Sequence, residues 1–175
     1  MNLIVAVDDN YGIGCANGLI YSIKKDMQHF KELTLNKVVV MGSKTFYSLP
    51  GKKALAGRVN IVLTSREDFN EPNTIAAHSL TELNNLIKNF DGNDIFVIGG
   101  ASIYNQLMPY CKFAYITKIE GSKTADTYMN NLDRLDNWKI QEASEPQQEN
   151  GQTFTFCLYE NTNVKSLDEG INLSR

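Results

Sequence analysis

A chain of 175 residues, 42% hydrophobic and 21% charged, suits one globular domain with a sizeable core. Its net charge of −3 argues against a general nucleic-acid or anionic-membrane binder, which needs a basic face, but leaves room for a small anion pocket. Cys15, Cys111 and Cys157 are odd in number and far apart, and with only His29 and His78 available no zinc spacing arises, so they read as reduced thiols of a cytoplasmic protein.

The N-terminus turns acidic after one short apolar run, without the pattern of a signal peptide, and no segment is long and apolar enough to span a membrane. Residues 3–7 (LIVAV) read as a buried strand. Residues 8–18 (DDNYGIGCANG) read as a long, mobile loop rich in glycine and asparagine. Residues 22–34 (SIKKDMQHFKELT) form an amphipathic helix pattern. At about 100° per residue, Ile23, Met27, Phe30 and Leu33 share one arc, and Asp26 falls inside it. A carboxylate facing a core is costly unless something receives it, which makes Asp26 a functional-site candidate.

Residues 37–41 (KVVVM) give a second buried strand, closed by Gly42, and 43–49 a short helix. A strand at 58–63, a short one at 74–77, a helix at 80–90 and a strand at 94–98 follow. After Gly99-Gly100 come a helix at 102–108, ended by Pro109, and a strand at 113–119. Two final strands, near 138–141 and 153–159, flank a polar turn at 147–152. Continuous apolar strands alternating with helices predict an α/β fold with a mostly parallel sheet, and the final pair predicts an antiparallel edge. One domain over residues 1–160 is expected, with 161–175 a loose or peripheral tail.

Two strand–glycine–helix junctions, VVVMGSKTF and FVIGGASIY, would lie at the carboxyl ends of parallel strands, where such sheets bind ligands. Glycine admits close approach, and the helix behind it offers free N–H groups. Neither junction is a Walker A loop or a GxGxxG fingerprint. Thr64, Ser65 and Arg66 would emerge on the same rim as Lys44, either as a phosphate pocket or as a solvated polar loop.

Taken together, LIVAVDDNYGIG, NGLI, KKDMQHFK, TLNKVVVMGSKTF, GRVNIVLTS, VIGGASIY and DTYM resemble dihydrofolate reductase over about residues 3–159. The resemblance implies a three-layer fold with an eight-stranded sheet and four helices, acting as a monomer on dihydrofolate with NADPH. It gives Asp26 the role of the single acid, with Thr117 bonded to it. It places Ile4, Met27, Phe30, Leu49 and Leu55 in the folate pocket, Arg58 on the substrate carboxylate and Lys53 at the rim.

For NADPH, the resemblance implies Ala6, Ile13, Gly14, Asn17 and Gly18 from the first strand and loop. Lys44 and Thr45 serve the first phosphate junction, Gly99, Gly100, Ala101, Ser102 and Ile103 the pyrophosphate junction, and Tyr104 packs beside the nicotinamide. Thr64, Ser65, Arg66 and His78 serve the adenosine end. The chain departs from the family pattern at Ile20-Tyr21, where many relatives carry Pro-Trp, at Ser43 in place of arginine, and at Tyr128-Met129. Tyr21 is expected to take over water-holding near Asp26, and Asp126 to tether the mobile loop. A riboflavin-pathway reductase and a non-catalytic relative remain alternatives at this point.

Overall fold

The computed structural model describes residues 1–168. In chain order the elements are β1 (Asn2–Val7), β2 (Gly12–Cys15), β3 (Gly18–Leu19), α1 (Lys24–Thr34), β4 (Val38–Gly42), α2 (Ser43–Ser48), β5 (Val59–Leu63) and β6 (Ile75–Ala77). Then come α3 (Leu80–Ile87), β7 (Ile95–Gly99), α4 (Ala101–Leu107), β8 (Phe113–Ile119), β9 (Thr127–Tyr128), β10 (Trp138–Ala143), β11 (Gln147–Glu149) and β12 (Gln152–Asn161).

Eight strands run in the order β10-β12-β8-β1-β7-β4-β5-β6, and β11 adds to β12. All pairings from β8 to β6 are parallel, while β12 lies antiparallel to β8 and β10. This is the expected α/β arrangement with an antiparallel C-terminal edge. Strand geometry explains the layers, because successive side chains leave a strand on opposite faces. Val38 and Val40 join the cluster holding Leu83, Ile87 and Leu107 of α3 and α4. Val39 and Met41 join the cluster holding Phe46 of α2. Both faces of β4 are therefore covered, which is why the strand reads as an unbroken apolar run.

Several elements depart from the sequence expectation. The loop at 8–18 contains β2 and β3, which pair as a hairpin (Gly14 with Leu19, Cys15 with Gly18). Its turn residues, Ala16 (φ 50°) and Asn17 (φ 63°), lie in the left-handed region that two-residue hairpin turns demand. Strand β9 pairs with β2, so the loop belongs to a small second sheet, β3-β2-β9. The polar turn at 147–152 is a second hairpin: β11 pairs with β12 across Asn150 (φ 51°) and Gly151 (φ 76°). Helix α3 stops at Ile87.

The segment after Asn161, expected to be loose or peripheral, is tied down as far as it is described. Thr162 N donates to Asn137 O at 2.7 Å and Lys165 N to Pro109 O at 2.9 Å. Leu167 is buried against the main cluster, while residues 169–175 lie outside the described residues.

Candidate active site

The register of β8 on β1 places Thr117 beside Ala6, at the carboxyl end of the parallel strands. Thr117 is buried, and its hydroxyl donates to Asp26 Oδ1 at 2.6 Å. Burial raises the Asp26 pKa above its ordinary value, against the lowering effects of the Thr117 bond and the nearby His29 charge. The acid is thus biased toward holding its proton, a property suited to acid chemistry.

The apolar arc expected around Asp26 is not a closed core. Within α1 only Thr34 is buried, Phe30 and Leu33 are half-buried, and Met27 is 45% exposed. Ile23, just before the helix, is the one arc residue packed inside, with Ile119 and Phe154. Asp26 and its apolar neighbours therefore line a partly open wall, a suitable surface for a flat heterocycle.

A narrow pocket adjoins this wall, lined by Ala6, Gly12, Ile13, Leu19, Ile20, Tyr21 and Ile119. The fold thus brings Ala6 and Ile13 into one pocket wall. Tyr21 closes one side, and its ring is covered by Lys123, whose Nζ sits 4.2 Å from the ring centroid. The loop above is fixed at two points. Asp8 Oδ1 accepts from Asn10 N and Gly12 N, at 2.9 and 2.8 Å. Asp126 Oδ2 accepts from Ala16 N at 2.8 Å, which holds the Asp126 carboxyl below the usual range. Gly14 and Gly18 approach closely there: a Cβ on Gly14 would stand 3.2 Å from Gly18 O. Asn17 is exposed at the turn.

The two glycine junctions touch each other. A Cβ on Gly100 would stand 3.2 Å from Thr45 Oγ1, and one on Gly42 would stand 3.0 Å from Ile103 Cγ1. Gly99 (φ 121°) leads into a cis Gly99–Gly100 peptide, and a Cβ there would meet the Tyr104 ring at 3.3 Å. Tyr104 in turn donates to Ile4 O at 2.7 Å, tying α4 to β1. Neither α2 nor α4 has a side-chain cap, so its first amides stay available beside Ala101, Ser102 and the exposed Lys44. A surface of glycine backbone and uncapped helix starts fits a dinucleotide's pyrophosphate.

At the end of β5, the His78 ring Nδ1 lies 3.1 Å from Thr64 O, so these two candidates meet. Ser65 is exposed beside them. Arg66 is directed elsewhere, since its Nε and Nη2 bond Asp68 at 3.2 and 3.0 Å. At the end of α1, Arg58 Nε donates to Thr34 Oγ1 and Nη1 to Ala56 O, both at 2.9 Å, and the guanidinium lies 5.8 Å from the Phe30 ring centroid. Leu49 and Leu55 are half-buried against the α2 cluster, Ile4 is buried, and Lys53 is exposed.

Sequence reasoning missed Lys123 over Tyr21 and Glu149 at the start of α1. It also missed Asp133, which receives the hydroxyls of Tyr11 and Tyr159 and the ammonium of Lys118. No short motif marks them, because each partner lies on a distant element.

An acid–hydroxyl pair beside a pocket at the strand ends, next to a double-glycine cradle, defines a nucleotide-dependent oxidoreductase of the α/β class. The family model for dihydrofolate reductase matches residues 1–161. A dihydrofolate reductase of Buchnera aphidicola is 36% identical over 140 residues, 80% of this chain and 82% of its own length. One of Bacillus subtilis is 32% identical over 165 residues, 93% of this chain and 95% of its own. The Enterococcus faecalis dihydrofolate reductase, solved with NADP(H) and RAB-propyl, superposes with a TM-score of 0.82 at 26% identity, over 91% of this chain and 95% of that one. The chain belongs to the dihydrofolate reductase family.

Proposed function

We infer that the protein reduces 7,8-dihydrofolate to 5,6,7,8-tetrahydrofolate, and that Asp26 is its single acid. The observation that carries this reading is the 2.6 Å bond from buried Thr117 to an Asp26 carboxyl whose pKa is raised by burial. When bound, NADPH supplies the hydride for pteridine C6. Asp26 receives the amino and N3 edge of the ring and supports protonation at N5. Thr117 fixes the orientation of the carboxyl, and Tyr21 helps order water at the pocket edge.

Ile4, Met27, Phe30, Leu49 and Leu55 supply apolar contact, Arg58 pairs with the substrate α-carboxylate, and Lys53 adds charge at the rim. Ala6 and Ile13 hold the nicotinamide side through their backbones, with Gly14, Asn17 and Gly18 in the loop above. Lys44, Thr45 and residues 99–103 hold the pyrophosphate, and Tyr104 packs beside the nicotinamide. Thr64, Ser65 and His78 take the adenosine end, and Arg66 joins them by exchanging Asp68 for a phosphate. The protein works as a cytoplasmic monomer on small molecules, without nucleic acid. No helix among the described residues is long and apolar enough to cross a membrane.

The test is the fall of NADPH absorbance with purified protein. Oxidation that requires dihydrofolate supports the reading, and its absence with NADPH-bound protein refutes it.

A further inference from the structure

Helix α1 carries the acid but does not cap itself. Ile23 occupies its N-cap position with no side-chain hydrogen bond. The first two helical amides are held instead from far along the chain. Glu149 Oε1 accepts from Lys24 N at 2.6 Å, and Glu149 Oε2 accepts from Lys25 N at 3.1 Å. Asp26 is the next residue.

Glu149 ends β11, and the Asn150–Gly151 turn returns the chain along β12. On β12, Phe156 pairs with Thr117 in the ladder to β8. The Phe156 ring also packs on His29, with centroids 4.1 Å apart. One hairpin thus grips α1 at its first turn through Glu149 and one turn later through Phe156, while its own ladder holds the strand that presents Thr117. The two partners of the Asp26–Thr117 bond are set on a common frame.

We propose that Glu149 is a positioning residue for Asp26: its carboxylate fixes the start of α1 so that the acid stays within reach of Thr117. The proposal rests on the reading of Asp26 as the catalytic acid. A carboxylate suits the task because it offers two acceptor oxygens to two N–H groups and meets the positive end of the helix. Helix ends fray first, and without Glu149 the fraying turn is the one containing Asp26. The titratable groups around the acid are His29 and Glu32 on its own helix, with Lys24 and Lys25 at its start, Glu149 on the hairpin and Tyr104 on α4.

The experiment compares Glu149→Ala, Glu149→Gln, Thr117→Val and the Glu149→Ala/Thr117→Val pair in the full chain. The first readout is the titration of the Asp26 side-chain carboxyl by ¹³C NMR in the protein without cofactor or substrate. The second is kcat and KM for dihydrofolate at saturating NADPH. Because the Thr117 bond lowers the Asp26 pKa, Glu149→Ala should move the carboxyl titration upward, in the direction of Thr117→Val, and the paired variant should move little beyond Thr117→Val alone. Glu149→Gln, with one acceptor, should fall between Glu149→Ala and the parent, and it serves alone if Glu149→Ala does not fold. The turnover number should fall about threefold to tenfold in Glu149→Ala, with a smaller change in KM, as expected for a misplaced catalytic group.

An Asp26 titration unmoved in both Glu149 variants, or a shift that adds in full to that of Thr117→Val, would overturn the role given to Glu149. A parent protein that leaves NADPH unoxidised overturns the reductase reading instead, so the two failures are distinguishable.

Discussion

Replacing Arg58 with leucine should weaken dihydrofolate binding and leave NADPH binding intact. Arg58 is held at Nε by Thr34 Oγ1 and at Nη1 by Ala56 O, above the Phe30 ring, and Thr34 Oγ1 itself donates to Phe30 O at 2.7 Å. These contacts pre-orient the guanidinium, and among the described residues Nη2 has no hydrogen-bond partner. Losing one partner of a desolvated charge pair costs about 2–5 kcal/mol. Arg58 is half-buried, so the lower part of that range applies. A loss of about 2–3 kcal/mol raises the dissociation constant about 30- to 150-fold. Arg58→Lys should recover little, because an ammonium lacks the planar fork. The assay is a fluorescence titration with dihydrofolate, repeated with a dihydropterin that lacks the benzoylglutamate tail. A change below about threefold would refute the reasoning. So would an equal loss for the tailless ligand.

Asp26→Asn should cut turnover sharply at neutral pH, measured as initial rates of NADPH oxidation. It should also stabilise the fold at pH 7. The raised pKa means that the folded state binds the proton more tightly than the unfolded chain, so stability falls as pH climbs from the unfolded value through the folded one. The gain from Asn, read by urea unfolding, should therefore vanish below the unfolded carboxyl value of about 3.9. An equal gain at both pH values would contradict the desolvation argument. Gly99→Ala should cost about 1–3 kcal/mol in urea unfolding, because φ at 121° suits glycine and the methyl would press on the Tyr104 ring. Unchanged stability would show that the backbone there is unconstrained. Asp126→Ala removes the acceptor of Ala16 N and should lower kcat more than it changes the dihydrofolate dissociation constant, compared by steady-state and binding measurements.

Much of this molecule was legible because the central strands are covered on both faces. VVVMG and IFVIG announce themselves as buried runs, and the glycines that end them mark the two junctions that meet in the fold. Asp26 stood out by position alone. Its surroundings did not, since helical periodicity gives a direction and not what lies there: Met27 and Phe30 point to a partly open wall. Strands β3 and β9 have two residues each, too few for any alternation to register. The β11–β12 hairpin did carry a signal, Asn150-Gly151, the dipeptide that two-residue turns favour. In the other hairpin the turn is Ala16–Asn17, one residue ahead of its Asn-Gly pair. Arg66 looked like a free cation, and only coordinates reveal Asp68 folded back on it.

The small sheet β3-β2-β9 constrains how the pocket can be entered. Strand β2 supplies Gly12 and Ile13 to the pocket wall and pairs through Gly12 and Gly14 with Tyr128 and Thr127 of β9. Lifting that wall requires either breaking the backbone ladder or swinging β9 along with it. The doorway is therefore a panel hinged on two stretches of chain, and a change near residues 120–129 should be felt in the wall that Gly12 and Ile13 form.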